Sequence, residues 1–223
     1  MRRAGMLQER VRAPGRPADA EPRGRSGGTA GNERLTAATG AVLLVLLALE
    51  GATVPFVSDL LPYHVFFGVL LIPPVLLKLG STGHRMLRYY AGNAAYRLRG
   101  APPLAMRALG PVLALSTVGV IGTGVALLFV GPQSHLLRGL HKLSFIVFFG
   151  ACAVHVLVHV WRVPFLASLD WRRLAPLPGS TARRVLVAGS VLAGLAVAAI
   201  ALGFDGSWVS WFARHHHDFR RDG

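Results

Sequence analysis

The residues best suited to chemistry in this chain are histidines that lie inside apolar segments long enough to cross a membrane. His64 lies near the start of one such segment, and His141, His155 and His159 lie in another. An imidazole is costly to hold in a bilayer without a partner, so ionisable residues within a membrane are candidates for function. A metal offsets this cost, because neutral imidazole is a common metal ligand.

The composition indicates the class of protein. Of 223 residues, 52% are hydrophobic and only 15% are charged, against about 25% charged residues in a soluble domain. We therefore expect an all-α integral membrane protein. The formal net charge of +14 does not indicate a nucleic-acid partner, because the basic residues lie between apolar segments rather than on one soluble domain. Cys152 is the only cysteine, which excludes an intrachain disulfide and a cysteine-ligated iron–sulfur cluster.

Five apolar segments each approach the roughly 20 residues that a helix needs to cross the hydrocarbon of a bilayer. The spans predicted from them cover about residues 35–57, 63–79, 108–130, 140–161 and 185–202. We expect a disordered basic cytoplasmic tail, a four-helix membrane core, a cytoplasmic loop, a fifth transmembrane helix and an outer tail rich in His and Arg. These parts cover residues 1–34, 35–163, 164–184, 185–203 and 204–223, in that order.

The distribution of arginine predicts the orientation. Arginines are frequent in the N-terminal tail and in the loops after the second and fourth spans, and the other two loops carry few. The positive-inside rule then places the N-terminus in the cytoplasm and the C-terminus outside. We expect a multi-pass protein of a bacterial cell membrane, in contact with the lipid bilayer. Trp208 and Trp211, just after the fifth span, predict an aromatic belt at the outer interface.

Two of the histidines are predicted to lie at the same depth. In this topology the second and fourth spans both enter from outside, so His64 and His141 lie about one helical turn below the outer face. Two imidazoles at one depth on neighbouring helices can ligate one haem iron from its two sides. His155 returns to the helix face of His141 but lies about 21 Å deeper, so it cannot share an iron with His64. Lys78 stands opposite His155, where a second haem would need a histidine.

His141 and His155, two histidines 14 residues apart on one membrane helix, make residues 33–163 resemble the cytochrome b superfamily. Cytochrome b561-like proteins and the cytochrome b subunits of hydrogenase or formate dehydrogenase are similar in size. The resemblance implies a four-helix haem b core that carries electrons between a quinone pool and a redox partner, such as an outer enzyme subunit of a respiratory chain. It implies an electron-transfer subunit of an oxidoreductase rather than a stand-alone enzyme.

The chain departs from this pattern in its first span. Many members of the superfamily carry a histidine in the first helix, and this chain has none. The departure favours one haem b, with His64 and His141 as axial ligands, over two. His155 and His159 stay open as ligands of a second haem.

Three further features each have two interpretations. Gly68, one turn below His64, could leave room for a porphyrin or let helices approach closely. Glu50, in the outer half of the first span, could relay protons from a quinol or pair with a histidine. The run His215–His217 in the outer tail, with His135, could bind copper or another divalent metal, or it could be an ordinary polar tail.

A protein of another class remains as the alternative. A non-redox polytopic membrane protein without cofactor, such as a small transporter subunit or an assembly factor, would explain the five spans. It would not explain two histidines at matching depth. Transport also usually requires a polar path through the midplane, and Glu50 and Lys78 are the only candidates besides the histidines.

Overall fold

The regular elements that the structure describes are all helices. The computed structural model describes residues 27–98, 100, 104–161, 163–171 and 177–219, with side chains up to Arg214. The α-helices in these ranges are α1 (Gly28–Thr53), α2 (Leu61–Leu70), α3 (Ile72–Tyr90), α4 (Ala94–Leu98), α5 (Leu104–Val130), α6 (His135–His159), α7 (Val163–Trp171), α8 (Ser180–Ala201) and α9 (Gly206–Phe219). Short 3₁₀ turns, Val54–Phe56 and Leu202–Phe204, follow α1 and α8.

Five helical segments are long and apolar enough to cross a membrane, which agrees with the predicted number and order of spans. They are Gly28–Phe56, Leu61–Tyr90, Leu104–Val130, His135–His159 and Ser180–Phe204. This all-α architecture is compatible with a multi-pass membrane protein. His64 and the chain around Arg34 lie towards opposite ends of the bundle, here called the His64 end and the Arg34 end.

Some predicted boundaries were wrong. Helix α1 begins at Gly28, so residues 28–34, which we assigned to the disordered tail, are helical. The reason is tertiary: Asn32 donates to the Ser81 carbonyl (3.1 Å), and Arg34 is paired across the bundle with a carboxylate. The predicted cytoplasmic loop contains α7, and the predicted outer tail contains α9. The first 26 residues of the basic tail lie outside the described residues.

The apolar core lies where α1, α2, α3 and α8 meet, with one contribution from α5. Its buried side chains are Leu43, Leu46, Val69, Leu70, Leu71, Val75, Leu128, Ala198 and Ala201. Helix α8 is therefore part of the core, whereas we expected a four-helix core with the fifth span added to it. Helix α6 is peripheral instead: in the described ranges it packs extensively against α5 alone, and Ala151 is its buried residue.

A close backbone contact explains why α8 enters the core. Pro73 and Pro74 have no N–H, so the Leu70 carbonyl loses its donor four residues on, and the chain turns at Leu71 between α2 and α3. Gly194 of α8 lies so close to the Leu70 carbonyl that a Cβ on Gly194 would overlap the oxygen. Small residues permit such backbone approach between membrane helices, and a Cα–H group can then face a carbonyl without its usual donor.

A buried ion cluster joins α1, α7 and α8 at the Arg34 end. Arg34 Nη1 donates to Asp170 Oδ1 (2.9 Å), and Arg183 donates through Nε to Oδ2 (2.5 Å) and through Nη2 to Oδ1 (2.9 Å). All three side chains are buried. Burial raises the pKa of Asp170, but the hydrogen bonds and charges of Arg183 and Arg34 outweigh burial and hold this pKa below its ordinary value.

Candidate functional site

His64 and His141, predicted to meet across the bundle, do face one another. The centroids of their rings are 6.4 Å apart, and the ring planes are almost perpendicular, at 89°. His64 lies in the first turn of α2, and His141 lies in the second turn of α6. Because α6 packs along α5 and α5 contacts α2, α5 is the helix that positions His141 relative to His64.

The hydrogen bonds of His64 define which of its ring nitrogens carries the proton. Nδ1 lies 2.9 Å from Glu50 Oε1 and 2.9 Å from Thr53 Oγ1. The Thr53 hydroxyl donates its own hydrogen to the Glu50 carbonyl (2.6 Å), so its oxygen is an acceptor towards the ring. Both neighbours therefore accept, and His64 Nδ1–H donates to them.

His141 is held in the same way by α5. Its Nδ1 lies 3.1 Å from the Val120 carbonyl oxygen and 3.1 Å from Thr123 Oγ1. The Thr123 hydroxyl donates to the Gly119 carbonyl (2.6 Å), and a carbonyl oxygen can only accept. His141 Nδ1 is therefore also protonated, and its Nε2 carries a lone pair.

The spacing and hydrogen bonds of the two imidazoles would suit ligation of one shared metal ion. Histidines that bind metals use one ring nitrogen for the metal and donate the other N–H to a carbonyl, carboxylate or similar acceptor. Both rings have that arrangement, and neither Nε2 has a hydrogen-bond partner within the described ranges. An imidazole nitrogen bonds a metal at about 2 Å, so two rings on one iron have centroids about 6 Å apart. The separation here is 6.4 Å.

Glycines on two helices make room for these contacts. A Cβ on Gly124 would lie 3.2 Å from His141 Cε1, and a Cβ on Gly119 would lie 2.9 Å from Ser144 Oγ. Both glycines thus allow α6 to approach α5. A Cβ on Gly68 would lie 3.4 Å from Glu50 Oε1. Gly68 therefore faces the carboxylate of Glu50, and its packing against a porphyrin stays a prediction.

Glu50 is paired with His64, which was one of its two predicted roles. Its side chain is only 16% exposed. Oε1 accepts from His64, and Oε2 is buried and has no hydrogen-bond partner among the described residues. The proton relay stays a prediction.

The histidines near the Arg34 end have a different environment. The rings of His155 and His159 stack on each other at 4.5 Å, and the Nδ1 of His159 lies 2.9 Å from the His155 carbonyl. Lys78 lies within electrostatic range of His155, as the alignment of the two spans predicted, and its amine donates to the Thr36 carbonyl (2.7 Å). In the ranges described, no ring contact joins His155 to an imidazole of another helix, and ligation of a second haem by His155 and His159 stays a prediction.

Of the histidines predicted to form a metal site with the outer tail, the structure describes the side chain of His135. The side chains of His215–His217 lie outside the described residues. His135 lies 2.9 Å from Arg138 Nη2. Among the side chains that are described, no three His, Cys, Asp or Glu residues are grouped to hold a metal ion.

Aromatic residues of α9 pack at the His64 end of the bundle. The indole N–H of Trp208 donates to the Leu127 carbonyl of α5 (2.8 Å), and the guanidinium of Arg138 lies 5.5 Å from the Trp211 ring. The aromatic residues that we assigned to a membrane-interface belt therefore pack on α5 and α6, beside the paired histidines.

The sequence interpretation missed the threonines of the site. Neither Thr53 nor Thr123 was singled out from the sequence as a site residue. Each of these hydroxyls accepts from one of the paired histidines. A signal was present for Thr53, because it lies three residues after Glu50 and therefore on the same face of α1.

Comparisons with known proteins give the chain no relative. No protein-family model matches it, and neither a curated protein nor a solved structure matches at a significant level. The assignment of a function therefore depends on the geometry of the histidine site.

Proposed function

We propose that this chain is a membrane b-type cytochrome that holds one haem b between His64 and His141. The observation that carries the proposal is the pair of imidazoles from separate spans, 6.4 Å apart, each with its Nδ1–H already donated to protein acceptors. An unliganded histidine buried in a bilayer is costly. Two imidazoles this close together, with no Nε2 hydrogen bond among the described residues, support a shared metal centre.

The residues of the chain would orient this centre. Haem bound there would supply one-electron redox chemistry. Thr53 and Glu50 fix the ring of His64, and Thr123 and the Val120 carbonyl fix the ring of His141. These hydrogen bonds would hold the orientation of each ring and leave its Nε2 as the nitrogen for ligation.

The proposal includes an orientation and a role. Exposed arginines Arg85, Arg88 and Arg97 lie at the Arg34 end, which the positive-inside rule assigns to the cytoplasm of a bacterial cell. The paired histidines are then near the outer face of the membrane. We propose an electron-transfer subunit that exchanges electrons with the quinone pool and with an outer redox enzyme subunit of a respiratory chain.

The test is the visible spectrum and haem content of protein purified in detergent from haem-replete cells. We expect the reduced α-band of low-spin haem b and one haem per chain. His64→Ala and His141→Ala should each lose that band, because one axial ligand disappears. His155→Ala and His159→Ala are matched controls from α6, the helix that also carries His141, and both should keep the band. A colourless wild-type protein, or a spectrum that survives both ligand substitutions, would remove the proposal and favour the non-redox alternative.

A further inference from the structure

We infer that Glu50 is a positioning residue that sets the midpoint potential of this site low, through the hydrogen bond that it accepts from His64. The inference rests on the proposed function and deepens it. The carboxylate of Glu50 would then set how easily the haem iron is reduced.

The two ligands differ in the charge of their acceptors. His64 donates to a carboxylate oxygen, whereas His141 donates to a backbone carbonyl, and each has one threonine hydroxyl in addition. A carboxylate that accepts from a metal-bound imidazole raises the basicity of the ligand. A more basic ligand and a nearby negative charge both stabilise the oxidised iron relative to the reduced iron. The hydrogen bond from His64 to Glu50 should therefore lower the potential.

The surroundings of Glu50 preserve the effect of its charge. The carboxylate is 16% exposed, so solvent and salt screen it weakly. No Lys or Arg side chain pairs with it in the described ranges, and its Oε2 has no partner there. Gly68 leaves the space that the carboxylate occupies, since a Cβ on Gly68 would approach Oε1 to 3.4 Å. The local structure thus admits a carboxylate against His64 and supplies no cation to neutralise it.

The experiment is a potentiometric titration of the haem-loaded full chain, wild type against Glu50→Gln. Glutamine keeps the size and an acceptor oxygen but removes the charge. We expect the equilibrium constant for reduction to rise at least tenfold, which is about 59 mV for a one-electron couple, with the low-spin α-band retained. Asp205→Asn is the matched control, because Asp205 is a carboxylate just before α9 and is not among the described hydrogen-bond or ion-pair partners of His64 and His141. Its potential should equal that of the wild type.

The possible outcomes separate this inference from the proposed function. A Glu50→Gln protein with haem and the wild-type potential would overturn the inference and leave the cytochrome intact. If Glu50→Gln loses haem, Glu50→Asp decides: its shorter side chain retracts the carboxylate from His64, so a raised potential supports the inference and an unchanged one overturns it. A wild-type protein without haem is a failure of the proposed function, and the spectrum shows it before any titration.

Discussion

Replacing Asp170 by asparagine tests the buried ion cluster at the Arg34 end. The carboxylate accepts three charged hydrogen bonds at 2.5–2.9 Å from Arg34 and Arg183. Its side chain is 7% exposed, and those of the arginines are 10% and 7% exposed. Asparagine fits the space but removes the negative charge that accepts from both buried guanidinium groups.

The structure sets the size of the effect. Removing one partner of a buried ion pair costs about 3–5 kcal/mol, because the remaining charge stays desolvated. Asp170 joins α7 to both α1 and α8 through these pairs. A change of 1 kcal/mol moves Tm by about 2–4 °C in a protein of this length. We therefore expect Asp170→Asn to lower Tm by roughly 6–20 °C.

The assay is thermal unfolding in detergent, followed by circular dichroism at 222 nm. Asp205→Asn is the control for loss of a carboxylate outside the cluster, and it should change Tm little. A triple variant with apolar residues at Arg34, Asp170 and Arg183 should have a Tm closer to that of the wild type than Asp170→Asn has, because it removes all three buried charges together. A loss below about 1 kcal/mol in Asp170→Asn, a typical value for an exposed ion pair, would refute the reasoning.

Three further predictions concern the same scaffold. The pKa of Asp170 is lower in the folded state than in the unfolded state. The carboxylate therefore contributes its full stability above its unfolded pKa of about 3.9, and this contribution is lost as pH falls through the folded pKa. Below pH 4, Tm should fall more for the wild type than for Asp170→Asn. Gly194→Ala should cost about 1–3 kcal/mol by overpacking, measured as Tm, whereas Gly189→Ala meets no atom within 4 Å and should be neutral or stabilising. Trp208→Phe should lose about 0.5–1.5 kcal/mol with its hydrogen bond to the Leu127 carbonyl.

Much of the architecture follows from local properties of the sequence. A segment that must satisfy its backbone within a bilayer has to be helical, so hydropathy alone predicted five spans in the correct order. Depth along a helix depends only on residue number, which is why His64 and His141 could be paired before any contact was known. The break that the structure has at Leu71 is also local in origin, because Pro73 and Pro74 lack the N–H groups that would continue the helix.

The contacts between helices could not be predicted from the sequence, because they depend on how each helix is rotated about its axis and on which helices it packs against. Hydropathy is nearly uniform around a membrane helix, so it does not indicate that α8 enters the core while α6 stays peripheral. Pairing with a histidine was only one of the two roles that the sequence left open for Glu50. Residue number along each helix is enough to predict that His64 and His141 lie at one level. The packing of α1 and α5 sets which atoms accept hydrogen bonds from their Nδ1–H groups, because a hydrogen bond requires ångström-scale approach between distant parts of the chain.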